Sequence, residues 1–160
     1  MNKIKTKIIS AFPGTGKSYY HNKYKETTLD SDSSNFSWRM DVDGNKVRNP
    51  EFPRNYINHI KENIGKYKFI FVSSHKEVRD ALLNECLFFY LVYPDDRRKD
   101  EFIQRYKNRG NDENFIKLIS NNWEEWLKEL WYPEDGCKKI EMVLDNLEDE
   151  LNHLNAEEVG

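Results

Sequence analysis

At 160 residues the chain is long enough for one domain with a substantial core and short for two. Its 25 Lys and Arg stand against 28 Asp and Glu, a net charge of −3 that argues against a surface built to coat nucleic acid. Nine Tyr, nine Phe and four Trp argue against a disordered chain, and no apolar run is long enough to span a bilayer. Met1-Asn2-Lys3 leads straight into a strand pattern rather than a signal peptide, so a cytoplasmic protein without membrane or nucleic-acid partners is expected, as a monomer or homodimer. Cys86 and Cys137 have neither metal nor redox spacing and read as idle thiols of a reducing compartment.

In chain order, an apolar strand over about Lys5 to Ser10 runs into Ala11-Phe12-Pro13-Gly14-Thr15-Gly16-Lys17-Ser18. This matches the phosphate-binding pattern G-x-x-x-x-G-K-[ST], except that Ala11 stands at the first Gly. Gly14 and Gly16 allow the backbone to curl so that N–H groups face an anion. A helix over Lys17 to Tyr24 and a short strand, Thr27 to Leu29, follow, and the latter ends at Asp30. Asp30-Ser31-Asp32-Ser33-Ser34-Asn35 is turn-rich. Phe36 to Arg39 leads to a loop at Asp43-Gly44-Asn45. Tyr56, Ile57, Ile60 and Ile64 then mark a helix over Asn55 to Ile64.

Tyr67 to Val72 predicts a buried strand, Lys76 to Asn84 a helix, and Leu87 to Val92 an almost wholly apolar strand suited to a parallel sheet. Helices over Asp96 to Asn108 and Glu113 to Leu130 break at Arg109-Gly110-Asn111, and Trp131-Tyr132-Pro133 ends that block. A strand over Lys139 to Leu144 and a helix over Asn146 to Leu154 close the pattern. Strands alternating with helices predict an α/β fold: a doubly wound, mostly parallel five-stranded sheet flanked by helices, in one domain spanning residues 1–160.

Ligands of such sheets sit at the carboxyl ends of the strands. That rule brings Lys17 and Ser18, Asp30 and Asp32, Ser73 to His75, and Arg97 and Arg98 to one rim. Pro13, Gly14, Thr15, Gly16, Lys17, Ser18 and Tyr19 form the candidate cradle for a nucleoside triphosphate. Ser18 and Asp32 are the candidate Mg²⁺ ligands. Asp30 and Asp32 are placed to hold an acceptor hydroxyl or a metal-bound water; turn and capping chemistry is the plain alternative. Arg98, Arg105 and Arg109 recur at helical spacing and suit phosphate, though interleaved acids also allow an ordinary solvated face. Segment 33–66 is assigned to acceptor binding, with Ser34, Phe36, Trp38 and Arg39 as candidates beside Ser74 and Arg79. Phe36, Trp38 and Tyr56 could stack on a base or simply pack a small subdomain; Arg39 or Arg54 could meet an acceptor phosphate. His75 could bind substrate or be a plain hydrogen-bonded side chain.

The phosphate-binding loop, the Asp-bearing second strand and the Arg-rich segment 95–112 together resemble the nucleoside monophosphate kinase-like group of P-loop NTPases. Gln104 to Glu113 is similar to the lid of guanylate-kinase-type enzymes. Ser73 to Asp80 resembles the stretch of gluconate- and shikimate-type kinases in which an Arg contacts the acceptor, which would be Arg79. The whole chain, with its Asp30-Ser31-Asp32-Ser33-Ser34 and Asn49-Pro50-Glu51-Phe52-Pro53-Arg54-Asn55-Tyr56-Ile57 segments, also resembles small phage-encoded nucleotide kinases or ATPases. The resemblance implies ATP- and Mg²⁺-dependent phosphoryl transfer to a small-molecule acceptor, a nucleoside or deoxynucleoside monophosphate first. A sugar or metabolite acid is the alternative acceptor, and a non-catalytic nucleotide-binding regulator the alternative class. A DNA-handling ATPase fits poorly, because Phe69-Ile70-Phe71-Val72 ends in Ser73 rather than in an acid.

Overall fold

The computed structural model describes residues 4–132 and 134–159; Met1 to Lys3, Pro133 and Gly160 lie outside them. Five strands form one sheet: β1 (Lys7–Ala11), β2 (Thr28–Asp30), β5 (Phe69–Ser73), β6 (Phe89–Pro94) and β7 (Cys137–Met142). Their order is β2-β5-β1-β6-β7, and every pairing is parallel. The sheet is therefore wholly rather than mostly parallel. A separate antiparallel hairpin, β3 (Trp38–Met40) and β4 (Lys46–Arg48), lies in the segment after β2. Phe69 to Val72 are fully buried, as expected of a central strand covered on both faces.

The helices are α1 (Lys17–Lys23), α2 (Ser34–Ser37), α3 (Arg54–Asn63), α4 (Lys76–Asn84), α5 (Lys99–Asn108), α6 (Glu113–Trp131) and α7 (Leu147–Val159). Parallel crossovers are right-handed. The step from β1 to β2 and the steps from β5 through β6 to β7 run in opposite directions across the sheet, so their helices take opposite faces. The contacts agree: Lys23 of α1 pairs with Glu148 of α7, while Arg79 of α4 pairs with Glu129 of α6. The reversal of winding direction falls at β1, and the carboxyl end beside such a reversal is where an open α/β sheet leaves a crevice. No helix among the described residues is long and apolar enough to cross a membrane.

Element boundaries move for physical reasons. The strand expected over Leu87 to Val92 begins at Phe89, because Cys86 turns the chain at φ 55° and leaves Phe88 exposed. The last strand stops at Met142, opposite Pro94, instead of at Leu144. Beyond it, the N–H groups of Val143 and Leu144 donate to the buried Glu150 carboxylate rather than to a neighbouring strand. The β3–β4 hairpin was not anticipated. Its strands are three residues each and largely exposed, and its turn is closed by Asp41 Oδ1, which accepts from the N–H groups of Asp43 and Asn45.

Candidate functional site: a gripped loop and a walled pocket on one rim

Ala11 is the last residue of β1, paired with Ser73 on one side and Val92 on the other. It lies in a strand without positive φ, so the glycine usual at this position of the pattern is not needed. The loop beyond it turns through Gly14 at φ 86° and Gly16 at φ 104°, where L side chains are disfavoured.

Three successive loop carbonyls are held from outside. The Tyr106 hydroxyl donates to Pro13 O at 2.7 Å, and the Arg105 guanidinium to Gly14 O at 2.8 Å. The Leu147 N–H donates to Thr15 O, also at 2.8 Å. In a trans peptide the C=O and the following N–H point in opposite directions. Holding these carbonyls therefore turns the N–H groups of Gly14, Thr15 and Gly16 away from α5 and α7. None of those three N–H groups finds a protein acceptor among the described residues. Such a row of unpaired amides forms an anion-binding concavity.

The grip on the loop comes from packing. Phe102 and Tyr106 are fully buried, and Phe102 packs against Trp123 of α6 and Tyr106 against Phe115. Burial holds the Tyr106 hydroxyl well above the ordinary tyrosine range, so it stays a donor at neutral pH. A Cβ on Gly14 would come within 2.7 Å of the Tyr106 ring. Segment 95–112, expected as a lid, is thus packed into the body and braces the loop.

Lys17 begins α1, and its ammonium lies 3.6 Å from Asp30 Oδ1 at the end of β2. Both side chains are about a quarter exposed. A partly exposed pair contributes on the order of 1 kcal/mol or less, so transferring the ammonium to a phosphate costs little. Thr15 Oγ1 and Ser31 Oγ are buried without a hydrogen-bond partner, and the buried Asp30 Oδ1 has only the Lys17 ammonium beside it. Unpaired polar atoms of this kind are uncommon in a finished core. Ser18 and Tyr19 are exposed beside them.

Further along the rim, Asp32, Ser33, Ser34, Ser37, Trp38, Arg48, Phe52, His75 and Glu77 line a cavity of about 310 Å³. Ser73 at the end of β5 ties it to the sheet: its hydroxyl donates to Ser33 Oγ at 2.7 Å, and its carbonyl accepts from the Ser10 hydroxyl. Asp32 Oδ1 accepts from the Ser34 N–H. Desolvation holds the His75 imidazole below its ordinary pKa; Asp32 opposes this, and Arg79 and Lys17 add to it. Arg48 closes the outer edge, donating to Glu77 at 3.1 Å and lying over both Trp38 and Phe52.

The other expected residues are placed as follows. Arg98 is bound to the Glu101 carboxylate and to the carbonyls of Met142 and Leu144. Arg105 also donates to Asp145 O, and Arg109 lies over Tyr106 and donates to Asn111. Arg79 is 4% exposed, with Ser74 O and Glu129 as its hydrogen-bond partners, which makes it a brace between α4 and α6. Phe36 packs edge-on to Tyr56 and against His59, outside the cavity wall. Tyr56 is fully buried; its hydroxyl donates to Ser31 O, and desolvation pushes its pKa up to about 12. Arg39 is exposed on β3 and does not line the cavity, and neither does Arg54.

Sequence reasoning did not single out Tyr106, Arg48, Phe52 or Glu77. Tyr106 carried a usable signal, since Phe102 and Tyr106 share one helix face at i, i+4. The other three carried none, because they meet only through the unanticipated hairpin. No family model matches the chain, and no curated protein matches it.

Proposed function

We propose that the protein is a nucleoside-triphosphate-dependent phosphotransferase, with ATP as donor and Mg²⁺ as counter-ion. The observation that carries this reading is the loop itself. Three carbonyls are bonded outward, three amides are left without protein acceptors, and Lys17 is parked on a nearby carboxylate. Phosphoryl transfer needs positioning and charge neutralisation more than covalent chemistry. The amides of Gly14, Thr15 and Gly16 would take phosphate oxygens, and Lys17 would leave Asp30 for the terminal phosphates.

The donor set also suits Mg²⁺. Among the described residues no group of three or more His, Cys, Asp or Glu could hold a metal by itself. Mg²⁺ commonly takes one or two protein oxygens and completes its shell with phosphate and water. The exposed Ser18 hydroxyl would be one such ligand, with the Asp30 carboxylate at the end of β2 nearby. The ion would neutralise charge on the phosphates while the chain's own residues orient donor and acceptor.

The pocket walled by Asp32, Ser34, Trp38 and His75 is the proposed acceptor site, because it shares the rim with Lys17 through Asp30 and Ser73. Coupled measurement of ADP release with an acceptor panel tests the reading. Acceptor-dependent turnover that disappears in Lys17→Ala supports it. Slow ATP loss, equal with every acceptor and unchanged by that substitution, contradicts it.

A further inference from the structure

We infer that the acceptor is a neutral alcohol, a nucleoside or a sugar, and that Asp32 takes the proton of its hydroxyl; this rests on the phosphotransferase reading above. The charge on the pocket wall carries the inference. Asp32 and Glu77 are acidic, and Arg48 is the single Lys or Arg among the nine lining residues. That one cation already donates to Glu77 and stacks over Trp38 and Phe52.

The cations offered by the sequence for an acceptor phosphate are committed or lie elsewhere. Arg79 is buried against Glu129, Arg54 pairs with Glu51, and Arg39 sits outside the wall. A monophosphate entering this pocket would bring about two negative charges to a wall of net −1, beside a donor polyphosphate. Like charges on that wall would oppose its entry before any contact is made. A neutral polyol meets instead what the wall supplies: the hydroxyls of Ser34 and Ser37, a carboxylate and an imidazole. The volume of about 310 Å³ is at the small end of ligand sites and suits a nucleoside or monosaccharide. Trp38 already carries Lys46 and Arg48 over its ring, so ring stacking is not what the wall is built around.

In the step, the acceptor oxygen forms a bond to the γ-phosphorus of ATP as its proton passes to the Asp32 carboxylate. The bond from phosphorus to the β–γ bridging oxygen breaks, and its electron pair leaves with ADP. Asp32 Oδ1 is held by the Ser34 N–H, and Oδ2 has no partner among the described residues.

The test gives the purified protein Mg²⁺ and ATP with paired acceptors: nucleosides and their 5′-monophosphates in one arm, hexoses and their monophosphates in the other. Products are followed by ³¹P NMR and ADP release. The expected result is a kcat/KM for the neutral member of one arm at least 100-fold above its monophosphate, and the arm that responds identifies the source. Asp32→Asn is expected to lower kcat about 100-fold or more while the KM for ATP holds. Glu77→Gln, which frees Arg48 and removes a charge, is expected to raise monophosphate use about tenfold. A wild-type preference for monophosphates, or Asp32→Asn at full kcat, overturns the inference and leaves the phosphotransferase reading standing. Absence of any Lys17-dependent turnover in both arms overturns the two together.

Discussion

The loop from Pro13 to Ser18 is gripped on two sides, by Arg105 and Tyr106 of α5 and by the first residue of α7. The pocket beyond β2 is walled instead by side chains from a hairpin, a short helix and the start of α4, most of them exposed. Each device suits a different task. A donor cradle works by pre-aimed backbone amides, and fixing them in advance removes reorganisation when the charge arrives. An acceptor site selects by side chains, and side chains on a small appended hairpin can change without disturbing the sheet. The grip is made of buried, hydrogen-bonded contacts, so it should respond to substitution in stability and nucleotide binding together. The wall should respond in acceptor use alone.

Lys17→Ala should strike hardest at the donor half. On the proposed phosphotransferase reading, removing the cation assigned to the terminal phosphates is expected to lower turnover by about 100-fold or more, with the fold unchanged by circular dichroism. The Lys17–Asp30 pair is partly exposed, so stability should move by about 1 kcal/mol or less in a denaturant titration. Gly14→Ala would couple the two readouts. A left-handed φ costs an L residue about 1–2 kcal/mol, and the new methyl would press on the Tyr106 ring. Loss of both thermal stability and ATP binding is expected; a variant that kept full ATP affinity would show that the grip is not needed.

Arg79→Ala separates bracing from catalysis. Losing hydrogen bonds to a charged partner is expected to cost about 2–3 kcal/mol, read as a lower denaturation midpoint, with the KM for the acceptor unmoved in the folded fraction. A large rise in that KM at unchanged stability would instead return Arg79 to the acceptor site. Tyr106→Phe removes one hydroxyl from the grip and leaves Pro13 O unpaired, for about 1–2 kcal/mol of stability and a several-fold weaker ATP affinity.

The smallest effect concerns pH. Desolvation lowers the His75 pKa, so the unfolded chain takes up the proton first as pH falls through about 6.5. Stability contributed by the neutral imidazole is complete above that point. It is lost as pH falls toward the depressed folded value. Denaturant midpoints of wild type should therefore fall between pH 7 and 5 more steeply than those of His75→Asn. Parallel curves would mean that His75 titrates alike in both states.

The same contrast explains what could be read from the amino-acid sequence. The Gly-x-Gly-Lys-Ser spacing is local, so the loop and its helix were legible without knowing the fold. The runs at Tyr67 to Val72 and Leu87 to Val92 announced buried parallel strands, and the carboxyl-end rule then gathered Asp30, Asp32 and Ser73 on one rim. Arginine roles were not legible. Arg98 and Arg105 have helical spacing that suits phosphate and Arg79 was a candidate by resemblance, yet their partners, Met142 O, Gly14 O and Glu129, lie far along the chain. Trp38, Arg48 and Glu77 meet only because a hairpin with three-residue strands turns on Asp41, a signal too short to stand out from ordinary loop composition.

Amide chemical shifts report on the loop itself. In a ¹⁵N-labelled sample titrated with Mg²⁺ and ATP, the N–H signals of Gly14, Thr15 and Gly16 should move together and saturate with one dissociation constant, while those of the β3–β4 hairpin stay near their starting positions. Shifts confined to the hairpin, or no saturable change at the three loop amides, would contradict the account.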